Sequence, residues 1–169
     1  MYGDPQRTVL ITRTSAFVAL ITLGSWLSIP FFPVPFTLQT LFVLLSGAVM
    51  GRKGVIPVLL YLSLGMLNFP VFHNSLSGIG ILLGPTGGYL LGFVPAALVT
   101  GLAYERRSSF VRLAGIVTGI LVILGSGTVW LVYSTGMQPT YALIFGLLVF
   151  LPGDILKGAC VYLTAKRLG

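Results

Sequence analysis

Two residues of opposite charge, Asp154 and Lys157, lie three positions apart in the last apolar segment of the sequence. Residues with this spacing share one face of a helix. With a rise of ~1.5 Å per residue, Lys157 lies roughly 13 Å before Lys166, near the middle of an apolar layer about 30 Å thick. Charges at that depth are paired or face a polar cavity. The pair is therefore predicted either to bind a ligand or to form a self-neutralising structural ion pair, and we favour the ligand site.

Two loop segments carry residues that could complete such a site. Residues 33–40 are stiffened by prolines, whose φ is fixed, and they bring Thr37 and Gln39 to the start of the second apolar segment. Residues 84–89 are rich in glycine, which permits close approach of the backbone to a ligand or to another helix. The alternative for residues 33–40 is a plain helix-start signal, with Gln39 idle at the lipid headgroups.

Catalytic and metal-binding patterns are missing from the sequence. His73 is the only histidine and Cys160 the only cysteine, so neither a nucleophile–base pair nor a set of metal ligands can be assembled. The chain also has no G-x-x-x-x-G-K-[ST] pattern for cradling the phosphates of ATP. We predict a protein that is not an enzyme, has no metal or cofactor and does not hydrolyse ATP by itself.

The composition indicates which solvent surrounds these elements. Hydrophobic residues make up 56% of the 169 residues and charged residues 8%, and the mean hydropathy is +1.00. A soluble domain carries about a quarter charged residues, so the medium is predicted to be lipid, where only helices and closed barrels satisfy their own backbone hydrogen bonds. The apolar runs are roughly 15 to 25 residues long, which suits helices rather than the ~10-residue strands of a barrel.

Six apolar segments predict an all-α integral membrane protein with six transmembrane helices in one domain, residues 1–169. No small-residue cleavage site follows the first segment, so we expect a retained span rather than a signal peptide. Glycines at four-residue spacing, such as Gly88 and Gly92, should let neighbouring helices approach closely. The predicted spans are residues 9–29, 37–51, 54–67, 89–104, 111–133 and 140–165.

The distribution of cations predicts the orientation in the membrane. With six spans, nine of the ten Lys and Arg residues fall on one side, and the loops of the other side contain none. Cytoplasmic loops carry the excess of Lys and Arg, so both termini are predicted to be cytoplasmic in a multi-pass protein of the cell membrane. Because the cations lie in short clusters between the apolar spans, the net charge of +7 is explained by membrane topology and does not require a nucleic-acid partner. The nine residues are Arg7, Arg13, Arg52, Lys53, Arg106, Arg107, Arg112, Lys166 and Arg167.

Three motifs resemble the BioY family. They are PVPFTLQTLFVLLSGAVMG, LLGPTGGYLLGF and the late LPGDILKGA, and their order and spacing make the resemblance specific over nearly the whole chain. That family supplies the substrate-binding S-component of energy-coupling factor (ECF) vitamin transporters. The resemblance implies a six-helix membrane protein that binds biotin as its transported ligand near the extracellular face. It also implies assembly with a transmembrane coupling subunit and two ATPase subunits, although some family members are found without dedicated partner subunits.

The resemblance also implies the residues that contact the ligand. Asp154 is expected to accept a hydrogen bond from a ureido N–H of biotin, while Lys157 and Gln39 donate to ligand oxygens. Tyr89 is expected to pack on the bicyclic ring, and Asn74 to hold the carboxylate together with backbone N–H groups near residue 75. The full set of expected ligand-binding residues is Thr37, Gln39, Asn74, Thr86, Gly87, Tyr89, Asp154 and Lys157.

A further expectation concerns docking to the coupling subunit. S-components commonly carry an Ala-xxx-Ala face on the first helix, and Ser15 and Ala19 are the nearest match here. Two alternatives to biotin uptake stay open from the sequence. One is an S-component for another small vitamin, and the other is a structural subunit of a membrane complex that binds no ligand.

Overall fold

The computed structural model describes residues 4–168, and most of them are helical. Five helical stretches are long and apolar enough to cross a membrane, which agrees with the predicted all-α membrane class. The helices are α1 (Pro5–Trp26), α2 (Gln39–Met50), α3 (Val55–Met66), α4 (Ile79–Leu83), α5 (Gly87–Tyr104), α6 (Ser109–Thr135), α7 (Pro139–Leu143) and α8 (Leu151–Leu168).

One of the five stretches, Gln39–Met66, contains both α2 and α3. A 3₁₀ turn, Gly51–Gly54, joins them. Ser46 Oγ donates to the carbonyl oxygen of Gly54 at 3.0 Å, although these residues would lie ~12 Å apart along a continuous helix. The chain therefore bends back between α2 and α3. Each helix is ~18 Å long, short of the ~30 Å hydrocarbon layer, so six crossings with cytoplasmic termini stay a prediction.

The first helix is shifted relative to the predicted span 9–29. It begins at Pro5, where the Asp4 carboxylate accepts a hydrogen bond from the backbone N–H of Gln6 at 3.0 Å. It ends at Trp26, so Ile29 lies outside it, in strand β1. The physical reason is Pro30, since the residue before a proline is disfavoured in the α conformation.

A short β-hairpin follows α1 and crosses the proline-rich segment. Strand β1 (Ser28–Ile29) pairs antiparallel with β2 (Phe36–Thr37), with Ser28 opposite Thr37. The sequence predicted stiffness in this segment but no strands. The hairpin fixes Thr37 directly before the first turn of α2, which begins at Gln39.

Two other segments also differ from the prediction. The predicted single span 140–165 is interrupted, because a π-helical turn, Ile144–Leu148, separates α7 from α8. Such turns inside helices are frequent at functional sites. The stretch between the third and fourth predicted spans is not all loop, since it contains α4 and a 3₁₀ turn, His73–Ser75.

Helix α5 lies at the centre of the bundle and packs against α2 and α6. Glycine makes these contacts close, as the four-residue spacing predicted. An added Cβ at Gly88 would lie 2.6 Å from the carbonyl oxygen of Ser126 on α6, and Ser126 Oγ donates to the carbonyl oxygen of Gly88 at 3.0 Å. This packing fixes the position of α5 against α6, and both helices contribute residues to the wall of a small pocket.

Candidate functional site

The pocket lies where the β-hairpin, the start of α2, the start of α5, the middle of α6 and the first two turns of α8 meet. Its enclosed volume is about 40 Å³. Six of the eight residues expected to bind the ligand line it, although they come from three separate segments of the chain. They are Thr37, Gln39, Thr86, Tyr89, Asp154 and Lys157.

The charged part of the pocket is the ion pair on α8. Asp154 is 2% exposed and Lys157 7% exposed, and Lys157 Nζ lies 2.7 Å from Asp154 Oδ1. Lys157 Nζ also donates to the carbonyl oxygen of Thr37 at 2.7 Å and lies 4.1 Å from the centre of the Phe36 ring. The lysine thus ties α8 to the hairpin. A carboxylate accepts several hydrogen bonds, so Asp154 keeps acceptor capacity for another donor.

A polar chain continues from the hairpin to α3. Thr37 Oγ1 donates to Gln39 Oε1 at 3.0 Å, and Gln39 Nε2 donates to Tyr61 Oη at 2.6 Å. Gln39 is buried and Tyr61 fully so. These bonds fix the orientation of the Gln39 amide, so its remaining N–H is presented in a defined direction rather than sampling many rotamers.

Tyr89 is held from its hydroxyl end. Its Oη donates to the carbonyl oxygen of Gly146 at 2.7 Å. Gly146 belongs to the π-helical turn, so this turn supplies an acceptor that a regular helix would use internally. An added Cβ at Gly127 would collide with the Tyr89 ring. The ring therefore has one fixed position, with its face part of the pocket wall.

Two of the expected residues do not line the pocket. Asn74 is exposed, and its Oδ1 accepts a hydrogen bond from Ser28 Oγ at 3.0 Å. Gly87 is buried in a helix contact, where an added Cβ would collide with the carbonyl of Leu82. The glycine that sequence reasoning assigned to ligand approach thus serves close packing at the start of α5.

Several residues of the pocket were not singled out from the sequence. His73 lines it, and its Nε2 lies 3.4 Å from Thr86 Oγ1. Burial lowers the pKa of His73, which favours the neutral imidazole. No local pattern marked this histidine, because only the folded loop brings it to Thr86. The apolar wall includes Val34, Phe93, Ile123, Leu124 and Phe150, which are indistinguishable in the sequence from other core residues.

The pocket combines one buried ion pair, oriented amide and hydroxyl groups, and a mainly apolar wall. This is the usual construction of a site for a small organic ligand. Among residues 4–168, no group of three His, Cys, Asp or Glu side chains is placed to hold a metal ion.

The sequence profile of the BioY family matches residues 4–169. The chain belongs to the BioY family. Similar relatives include the biotin transporter BioY of Thermotoga maritima, 41% identical over 94% of each chain, and the probable biotin transporter BioY of Pyrococcus horikoshii, 40% identical over 94% of each chain. These relatives are transporters, which agrees with the prediction that this BioY-family protein is not an enzyme.

The fold also matches a solved structure of the same kind. The crystal structure of the S-component for biotin from an ECF-type ABC transporter superimposes with a TM-score of 0.89 and 26% sequence identity, covering 99% of this chain and 94% of that one. The likeness confirms the predicted helical membrane class and the multi-pass location in the cell membrane. It does not count the crossings or orient the termini, which stay predictions for this BioY-family chain.

Proposed function

We propose that this BioY-family protein binds biotin in the pocket beside Asp154 and Lys157 and carries it across the cell membrane as the S-component of an ECF-type transporter. The observation that carries the proposal is the convergence of six polar residues from three chain segments on one largely apolar pocket. A purely structural ion pair would need no such set of oriented groups around it. The names of its relatives support biotin as the ligand.

The chemistry of biotin suits the arrangement. Its ureido ring offers two N–H donors and one carbonyl oxygen, which match the free acceptor capacity of Asp154 and the donors of Lys157 and Gln39. Its thiophane ring is apolar and would pack on Tyr89, whose ring is already fixed by the Gly146 carbonyl. Thr37 and Thr86 contribute hydroxyl groups at the sides of the pocket.

The carboxylate tail of biotin requires donors away from the ureido end. Asn74 and the backbone N–H groups near residue 75 are proposed to hold it, since they follow His73, which lines the pocket. Asn74 and Ser75 both have positive φ values, 55° and 56°, so the backbone turns sharply at this point. In this arrangement Asn74 contacts the ligand from outside the enclosed cavity. Gly87 contributes by letting α5 begin close to α4.

Entry of biotin requires movement. The enclosed volume of about 40 Å³ is far below the ~300 Å³ at the lower end of typical ligand pockets. The hairpin is the element best placed to move, because it contributes Phe36, which stacks on Phe150 at 5.6 Å between ring centroids. Opening it would release the Lys157 contact with the Thr37 carbonyl and enlarge the pocket.

Uptake also requires an energy source, which we assign to partner proteins. The sequence has no ATP-binding pattern, and the solved relative comes from an ECF-type ABC transporter. We therefore propose assembly with a transmembrane coupling subunit and two ATPase subunits. Ser15 and Ala19 support a docking face on α1, because both are exposed and lie one turn apart.

Isothermal titration calorimetry on the detergent-purified full chain tests the ligand. We expect near-stoichiometric, tight binding of biotin, weaker binding of desthiobiotin and no heat from riboflavin. Binding of riboflavin instead of biotin would indicate an S-component for another vitamin. A folded, monodisperse sample that binds none of the three would contradict the proposal and favour a structural subunit.

A further inference from the structure

A second cavity lies on the lipid-facing side of the bundle, between α6 and α8. It is an apolar groove with a volume of about 380 Å³. Its α6 wall includes Leu113, Val117 and Ile120, and its α8 wall includes Leu151, Ile155 and Ala159. None of these side chains carries a polar group, so the groove is suited to a hydrocarbon chain.

A cationic cavity of about 120 Å³ lies at the end of the same two helices that the distribution of cations predicts to be cytoplasmic. It is lined by Tyr104, Ser109, Arg112, Tyr162 and Lys166. Arg112 lies 5.5 Å from the centre of the Tyr104 ring, and its Nε donates to the Arg106 carbonyl oxygen at 2.9 Å. These contacts fix the guanidinium and leave its two Nη groups without a hydrogen-bond partner among residues 4–168.

The groove and the cationic cavity form one continuous seam. The residues that line the two cavities recur at helical spacing, so on each helix they share one face. On α6 they are residues 109, 112, 113, 116, 117 and 120, and on α8 they are residues 151, 155, 158, 159, 162 and 166. From Leu151 to Lys166 the seam is ~22 Å long. That length matches one bilayer leaflet, about 15 Å of hydrocarbon and about 6 Å of headgroup.

The cations of this seam have no counter-charge on protein side chains. The chain has three acidic residues, and each is engaged elsewhere. Asp4 caps α1, Glu105 pairs with Arg52, and Asp154 pairs with Lys157. Arg112 and Lys166 therefore line a cavity that lacks a side-chain carboxylate within the described residues 4–168.

The same cavity contains a hydroxyl group in need of a partner. Tyr104 Oη is buried and makes no hydrogen bond within the part of the chain that the structure describes, residues 4–168. A buried hydroxyl without a partner is costly. An oxygen-rich anionic group between Arg112 and Lys166 would satisfy it.

We propose that the α6–α8 seam binds one anionic phospholipid of the cytoplasmic leaflet. Arg112 and Lys166 hold the phosphate, Tyr104 donates to a phosphate or glycerol oxygen, and an acyl chain fills the groove beside Ala159. Basic pockets between transmembrane helices on the cytoplasmic side are suited to such headgroups. Charge complementarity selects this occupant over a second apolar helix, which would leave both cations and the hydroxyl unpaired.

The chain offers a matched control on the same membrane face. Arg13 and Lys53 line another cavity of about 120 Å³, between α1 and the α2–α3 turn. That cavity also holds one arginine and one lysine. Its lining contains no hydroxyl that is buried without a partner within residues 4–168. Arg13→Gln/Lys53→Gln therefore removes the same charge without touching the proposed site.

The test is native mass spectrometry of the detergent-purified full chain, titrated with phosphatidylglycerol or phosphatidylcholine of identical acyl chains. We expect one phosphatidylglycerol to remain bound to the wild-type protein. Arg112→Gln/Lys166→Gln should bind it about thirtyfold more weakly, the loss expected for two cation contacts with an anionic lipid. Arg13→Gln/Lys53→Gln should stay within about twofold of wild type, because neither cation lies in the proposed site and exposed substitutions away from a site have small effects.

A groove-filling variant separates lipid from a free anion. Ala159→Phe should weaken phosphatidylglycerol binding while leaving biotin binding unchanged, and Val117→Phe fills the groove from α6 if the first variant is not monodisperse. The proposal would be overturned if phosphatidylcholine is retained as well as phosphatidylglycerol, or if the control double variant loses as much binding as Arg112→Gln/Lys166→Gln. It would also be overturned if glycerol phosphate competes as strongly as whole lipid. A further contrary result would be a dimer of this protein that both groove-filling variants abolish while lipid retention stays unchanged.

Discussion

At the level of single residues, the Asp154–Lys157 pair has a structural role and a proposed binding role, and substitutions can separate the two. Both side chains are buried, and the lysine also holds the Thr37 carbonyl. Removing one partner of such a pair strands the other charge, which costs about 3–5 kcal/mol, whereas replacing both with apolar groups of similar volume is often neutral.

We therefore expect Asp154→Asn and Lys157→Met each to lower the free energy of unfolding by about 3 kcal/mol and to abolish measurable biotin binding. Asp154→Leu/Lys157→Met should recover most of the stability but none of the binding, because the ureido contacts are still missing. Thermal unfolding in detergent and calorimetry on the same samples measure both. Wild-type biotin affinity in the double variant would show that the pair is structural alone.

The sequence identified the site residues whose type is unusual for their position in the chain. Asp154 and Lys157 were evident because charges are rare in apolar spans, and Gln39 because it follows a stiff proline segment. His73 was not assigned to the site, since nothing in the sequence indicates that its loop folds back to Thr86. Asn74 was expected to hold the ligand carboxylate, which stays a prediction, and its contact with Ser28 could not be predicted because the hairpin that brings them together is a tertiary feature.

At the level of elements, the hairpin is the part of the pocket most easily perturbed without disturbing the helices. Phe36 stacks on Phe150, and its ring lies where an added Cβ at Gly153 would collide with it. Phe32, on the same hairpin segment, is 85% exposed. The two phenylalanines thus provide a half-buried and an exposed position on one element.

Phe36→Ala should speed biotin dissociation about tenfold, because losing the contacts of this half-buried aromatic ring costs about 1.4 kcal/mol. Phe32→Ala should change the rate by less than about twofold, as expected for an exposed side chain away from special contacts. Stopped-flow measurement of dissociation from purified protein gives both values. Equal rates in Phe36→Ala and wild type would mean that this ring does not close the pocket.

The sequence was informative about helices and silent about their interruptions. Long apolar runs predict spans because lipid permits little else. The hairpin has two residues per strand and is determined by proline geometry, so no hydrophobic alternation marks it. The π-helical turn within the last apolar run is equally hidden, since Gly146 gains its acceptor role only when Tyr89 reaches it.

At the level of the whole molecule, we propose that ligand binding and energy coupling use different parts of the bundle surface. The pocket is enclosed by α2, α5, α6 and α8 together with the hairpin, while α1 exposes Ser15 and Ala19 outward. A substitution on α1 can therefore interrupt assembly with the coupling subunit without altering the pocket. Ala16 is also exposed and lies about 100° around the helix from Ser15, so it is a control position for the docking face.

Ala19→Trp should leave biotin affinity within about twofold of wild type, because exposed positions away from a site have small effects. The same variant should abolish biotin uptake in cells that also produce a coupling subunit and two ATPase subunits. Ala16→Trp should retain more uptake than Ala19→Trp, since its side chain points about 60° away from that of Ala19 and about 100° away from that of Ser15. Radiolabelled biotin accumulation and calorimetry on the purified variants provide the two readouts. Normal uptake by Ala19→Trp would place the docking face elsewhere on the bundle. Loss of both biotin binding and uptake would instead show that α1 is coupled to the pocket through the hairpin that follows it.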